Sequence, residues 1–190
     1  MESVRIHPSV ESRLITAGAL LSDAPIYDRV VIGVAVFKPT PAKDGDTLSP
    51  NHPSVLIVKR SAHESFLPNV WEIPGGHVEP TDPTILHAVI RETKEETGLD
   101  VEAVLGEFDQ FVYKVEKPGG NTKTTIQLNF AVGVLGGVDI DKMVVLCPDE
   151  HQSHAWVSVG NIGDYTLTEG MKKVAMDALA WGQRHLIVGD

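Results

Sequence analysis

The segment from Thr81 to Gly98 constrains this chain most, because both of its ends are marked and its inward stripe changes character halfway along. Asp82 stands at the N-cap position, Pro83 at the first helical position and Gly98 at the C-terminal stop, so a helix is expected over 81–98. At about 100° per residue, Ile85, Ala88 and Val89 line one side, and Glu92, Glu95 and Glu96 continue it within an arc of roughly 100°. His87, Arg91 and Lys94 fall towards the other side. Acids on a helix ordinarily mark a solvated face. Here they prolong an apolar stripe, where they would repel one another and resist desolvation unless cations compensate. An all-oxygen donor set suits a hard divalent ion, Mg2+ with Mn2+ as the alternative, better than zinc.

The neighbouring sequence supplies a sheet for that helix. Val30 to Phe37 is a β-rich run that reads as a central strand, and Ser54 to Lys59 reads as a second. Between them, residues 39–53 are rich in turn formers and read as a polar loop. Val101 to Val115 and Thr124 to Leu135 are strand-like runs joined by a hairpin-type connection over 116–121, and Ala155 to Val159 is a further short strand. Thr168 to His185 has helical spacing, with Met171, Val174, Ala175, Ala178 and Leu179 on one stripe, which reads as core packing. Strands, helix, strands, helix is the order of a layered α/β domain and not of repeating βαβ units. The expectation is a single domain over 1–190, with residues 1–28 as an N-terminal extension.

Composition narrows the function. A formal net charge of -10 argues against bulk binding to nucleic-acid backbones, though a bound cation could still present a nucleotide phosphate with a positive field. No apolar run reaches the roughly 18 to 20 residues that span a bilayer, and Glu2, Glu11 and Arg13 interrupt any signal-like N-terminus, so a cytoplasmic protein with no membrane partner is expected. The lone Cys147 has no partner for a disulfide and reads as a small core or loop residue.

Just ahead of the helix, Trp71-Glu72-Ile73-Pro74-Gly75-Gly76 ends a strand in two residues without side chains. Such a pair permits close backbone approach, so that a carbonyl could face a metal or a phosphate; alone it is an ordinary turn. Together, Gly76 to Leu99 resembles the box of the Nudix hydrolases, G-x5-E-x7-R-E-U-x-E-E-x-G-U with U a bulky apolar residue. Arg91, Glu92, Glu95, Glu96, Gly98 and Leu99 match it in place. Two departures stand out: the first acid falls on Asp82 with one extra residue before Arg91, and Thr93 replaces an apolar residue.

The resemblance implies an α/β/α sandwich with a mixed central sheet. It implies an enzyme that cleaves the diphosphate linkage of a nucleoside diphosphate derivative or related organic pyrophosphate. Glu92, Glu95 and Glu96 would hold the metal, joined by the Gly75 carbonyl, and Arg91 would orient a glutamate. The general base would be a box glutamate such as Glu92 or Glu95, or a distal one, for which Glu150 is the candidate; it reads equally as an exposed loop acid. Glu79 and Asp82 are within reach of the site or are turn and capping residues. Gly76, Arg60 and Trp71 are candidate substrate contacts, against solvated-edge and packing readings for Arg60 and Trp71. His63, His77, His151 and His154 show no metal-binding pair and read as surface or loop residues. A homodimer is an expectation by family analogy alone. The rival expectation is a Nudix-fold module that binds a nucleotide without cleaving it, against which stand the intact Arg91, Glu92, Glu95 and Glu96.

Overall fold

The computed structural model describes residues 4–38, 53–116, 120–136 and 139–186. Most of the polar loop 39–53 and the tip of the 116–121 connection lie outside them. The central elements follow the hydrophobic pattern. Strand β2 (Arg29–Lys38) runs parallel to β6 (Thr122–Val134), which pairs antiparallel with the long β5 (Val101–Glu116). A short β1 (Arg5–Ile6) adds to the far edge of β5 in parallel. On the other flank β3 (Ser54–Arg60) touches the end of β2 and pairs with β4 (Trp71–Glu72) and with β7 (His151–Val157). The outcome is a mixed seven-stranded sheet with order β1-β5-β6-β2-β3-β4 and β7 branching from β3.

Alternation along these strands builds two cores. Val30, Ile32, Val34 and Val36 of β2 and Leu128 and Phe130 of β6 face one way. They pack on Ile85, Leu86 and Val89 of α2 (Ile85–Thr97) and on Leu20 of α1 (Ala17–Asp23). Ala35 and Ala131 face the other way, onto Val174, Ala175, Ala178 and Leu179 of the last helix. In chain order the remaining helices are α3 (Ile140–Met143) and α4 (Glu169–His185). The sheet thus lies between α2 and α4, the α/β/α arrangement expected. Each fully buried Leu, Ile or Val contributes about 1.5–3 kcal/mol, and the stripe of α2 anchors the acid-bearing half through such residues.

Three readings of the sequence require correction. Helix α2 starts at Ile85 with Thr84 as N-cap, not at Asp82, because the Asp82 carboxylate accepts from the Glu79 N–H (2.8 Å) and pairs with Arg91. The Ile85 N–H donates to the Ile15 carbonyl at 2.9 Å, so the N-terminal segment satisfies an orphan donor of that helix. Strand β7 starts at His151, four residues before the expected Ala155; His-Gln-Ser-His lacks apolar alternation but pairs with β3 across a bulge at Gln152. Finally, residues treated as an N-terminal extension contribute Val10 and Leu20 to the core. No helix among the described residues is long and apolar enough to cross a membrane.

Candidate active site

The segment after β4 behaves as an added strand against β2. Val34 donates to the Pro74 carbonyl (2.7 Å), Ile32 to the Gly76 carbonyl (2.8 Å) and Val78 to the Val30 carbonyl (3.2 Å). Pro74 and Gly76 therefore point their carbonyls at β2, and alternation turns the Gly75 N–H and C=O the opposite way, towards α2. There the Gly75 N–H donates to Glu96 Oε2 at 2.8 Å. Backbone geometry demands the glycine at 75, and at 76 a side chain would displace the Glu92 carboxylate. Gly75 has φ +150°, and a Cβ on it would lie 2.1 Å from the Ile32 carbonyl oxygen; a Cβ on Gly76 would lie 2.5 Å from Glu92 Oε1.

Arg91 organises the start of the acid run. Its Nε and Nη2 grip Asp82 in a two-bond fork (3.0 and 2.9 Å), its Nη1 reaches Glu92 (2.9 Å) and Glu95 (2.8 Å), and Nη2 also donates to the His77 carbonyl (3.0 Å). The hydrogen bonds from Arg91 hold the Asp82 carboxyl below its ordinary range despite burial, and those to Asp82 push the guanidinium further up. The extra residue of the box is absorbed between Asp82 and Ile85, and the Asp82–Arg91 pair survives it. Thr93, the other departure, is fully buried and spends its hydroxyl on the Val89 carbonyl (2.6 Å).

One turn on, compensation runs out. Glu92 is 9% exposed and Glu96 6%. Burial pushes Glu96 well above the ordinary carboxylate range, opposed by the Gly75 N–H and reinforced by Glu92, Glu72 and Glu150. Burial also raises Glu92, against the pull of Arg91 and with a push from Glu95 and Glu150. These acids converge with the start of β7. The pairing of β3 with β7 slips between Lys59 and Arg60, leaving Gln152 unpaired, and this bulge turns Glu150 and His151 towards α2. One donor atom each from Glu96, Glu150 and His151 lie within 4.8 Å of one another. His151 is 2% exposed; its Nε2 faces Glu72 Oε1 at 3.4 Å, and its Nδ1 is buried without a partner. Glu72 is in turn held by Arg60 Nη1 at 2.8 Å. Burial opposes the Arg60 charge, and the carboxylates of Glu72 and Glu64 more than offset it.

The expected residues thus separate by position. Gly75, Gly76, Glu92, Glu96 and Glu150 come together. Glu95 does not share their burial: its side chain is 57% exposed and tied to Arg91, because it leans over the solvent edge of the acid arc. Arg91, expected on the opposite side, swings back into the acids. Arg60 borders the cluster through Glu72. The Trp71 ring packs edge-on against Tyr165 (5.0 Å between centroids), and the Trp71 backbone N–H donates to the Thr166 carbonyl. Glu79 and its neighbour Thr81 close a surface turn. The sequence reading missed Glu72 and took His151 for a surface or loop residue, whereas it is buried in β7; their signal was alternation along β4 and β7, hidden by the shortness of the one and the polarity of the other.

The donor set fits a divalent cation: two buried carboxylates lacking full compensation, a third acid at Glu150, an orphaned imidazole nitrogen and a backbone held close by glycines. Comparison with known proteins places this site. The NUDIX domain family model matches residues 33–178, the stretch that holds every residue of the cluster. The m7GpppN-mRNA hydrolase NUDT17 of Xenopus laevis is 48% identical over 50 residues, 26% of this chain and 17% of that protein. The chain spans about a fifth of the length of the curated relatives it matches. Among solved structures, a NUDIX hydrolase from Alicyclobacillus acidocaldarius superposes with a TM-score of 0.58 at 16% identity, covering 85% of this chain and 98% of the other. The NUDIX domain of Shewanella oneidensis NrtR, complexed with ADP ribose, gives 0.57 at 14% identity and covers 88% and 99%. These structures share the fold, and the family match spans most of the sequence from β2 to α4: the chain belongs to the Nudix family.

Proposed function

We propose that this protein is a Mg2+-dependent hydrolase, with Mn2+ as an alternative, that cleaves the diphosphate linkage of a nucleoside diphosphate derivative or related organic pyrophosphate. The observation that carries this reading is the buried Glu92–Glu96 pair beside Glu150, a concentration of negative charge that folding alone leaves under-compensated. Glu92, Glu95 and Glu96 would hold the cation with the Gly75 carbonyl. When bound, the cation neutralises diphosphate oxygens, supports the charge that grows on them during displacement and acidifies the attacking water.

The chain's own groups do the rest. Arg91, anchored by Asp82, positions Glu92 and Glu95. Glu150, exposed at the head of β7, takes the proton from water as its oxygen attacks phosphorus. The new P–O bond replaces the bridging one, and the leaving group departs as a phosphate ester. Arg60 and Trp71 edge the site on the β3–β4 side, and Gly76 lets the chain pass close to the substrate. The hydrolase name of the NUDT17 relatives and the ADP ribose held by the NrtR domain support nucleotide-linked diphosphates as the substrate class.

The test is a panel of organic diphosphates, capped RNA, ADP-ribose, dinucleoside polyphosphates and isoprenyl diphosphates among them, assayed by mass spectrometry in 18O water with Mg2+ or Mn2+. The expected result is metal-dependent cleavage with one 18O on a defined phosphate. Binding of these compounds without cleavage by either metal, or turnover unchanged in Glu96→Gln, rejects the reading.

A further inference from the structure

We infer that His151 is a nitrogen ligand to the divalent cation held at Glu96, beside Glu150, which gives this site a mixed nitrogen and oxygen donor set and a bias towards Mn2+ over Mg2+. The inference rests on the reading of the site as a cation centre and names a ligand within it.

Three observations carry it. First, His151 lies at the cluster: one of its ring nitrogens falls within 4.8 Å of oxygens of both Glu96 and Glu150. Second, it is 2% exposed and its Nδ1 is a buried polar atom without a partner, which is costly for an imidazole unless something fills the place. Third, the opposite nitrogen is spoken for. Nε2 faces Glu72 Oε1, and Arg60 holds that carboxylate at 2.8 Å, so the chain Arg60–Glu72–His151 favours the tautomer with its proton on Nε2. The lone pair is then on Nδ1. A carboxylate orienting one imidazole nitrogen while the other stays free is how proteins prepare a histidine to ligate a metal. The bulge at Gln152 serves this arrangement, since it brings Glu150 and His151, adjacent in sequence, to the same buried acid. Imidazole suits the later first-row divalent ions better than Mg2+, which prefers oxygen and water.

Pulsed EPR of the full chain loaded with one equivalent of Mn2+ and no substrate reads this directly. A coordinated imidazole gives 14N modulation of the Mn2+ echo; it is expected in the wild type, lost in His151→Gln and kept in His154→Gln. Calorimetry should show His151→Gln weakening Mn2+ binding by roughly tenfold or more, with a smaller change for Mg2+. A wild-type spectrum without 14N modulation overturns the inference, whether or not the variant folds, and so does modulation that survives His151→Gln. Cleavage of a diphosphate with no nitrogen signal removes this ligand and leaves the proposed hydrolase standing. A nitrogen signal with no cleavage of any diphosphate does the reverse.

Discussion

Two carboxylate groupings flank Arg91, one at Asp82 in the loop ahead of α2 and one at Glu96 near the end of that helix, and they are treated in opposite ways. At Asp82, a buried acid meets a forked guanidinium and a backbone N–H, so that its charge is matched where it stands. At Glu96, an equally buried acid receives one backbone N–H and faces three further acids, Glu92, Glu72 and Glu150. Solvent exposure is similar in both places, but Asp82 has a guanidinium partner where Glu96 is more deeply desolvated among other acids. The matched grouping holds the loop to the helix, and the unmatched one is where an external cation lowers the energy most. Position in the family's box does not separate these roles, because the acid nearest the motif's first position is the structural one.

The comparison can be broken most severely at Glu96. Glu96→Gln should cut metal-dependent hydrolysis by roughly a thousandfold while keeping the bond from Gly75, measured as kcat/KM on the best substrate of the panel. In the same variant, without metal, the protein should become more stable at pH 8, by about 2–4 °C in Tm for each kcal/mol of relieved desolvation. Loss of stability there would show that Glu96 is already compensated. Next, Asp82→Ala should cost about 3 kcal/mol in urea unfolding, because it strands Arg91 against a half-buried loop, with activity falling through misplacement of Glu92. A neutral result would remove the distinction between the groupings.

Acidity sharpens the contrast further. Glu92 and Glu96 are raised on folding, so the metal-free native state keeps protons that the unfolded chain releases. Its stability should therefore fall as pH rises from about 4.5 through the raised native values, and stay low above them. Asp82 is lowered and contributes the opposite slope: stability present above the ordinary carboxylate range and lost as pH falls through its native value. Chemical denaturation across pH in chelator, on wild type and Glu96→Gln, separates the two slopes; a Glu96→Gln profile parallel to wild type would refute the assignment. Smallest of all, Glu95→Gln should change metal-free stability by no more than about 0.5 kcal/mol, since its exposed bond to Arg91 is screened by water. A larger loss in thermal melts would move Glu95 into the structural grouping.

Periodicity made the scaffold legible. The β2, β5 and β6 runs and the two long helices have enough apolar residues at the right spacing to identify themselves, and the continuation of the Ile85–Val89 stripe into Glu92 and Glu96 foretold their burial. Angular reckoning failed at Glu95 and Arg91, which lie near the edge of the arc, where side-chain length and pairing decide the outcome. The two-residue β1 and β4 carry no period to read, and β7 hid its strand character behind His151, Ser153 and His154. What brings Glu72 and His151 to Glu96 is cross-strand pairing through β3, a relation between distant segments that no local pattern encodes.

The hydrogen bond from Ile85 to the Ile15 carbonyl ties the first turn of α2 to a segment outside the stretch matched by the family model. The chemistry of the site is thus inherited from one part of the sequence, while its mechanical footing is borrowed from another. Changes in the backbone around Ile15 would bear on the seating of the acid-bearing helix without altering a single acid.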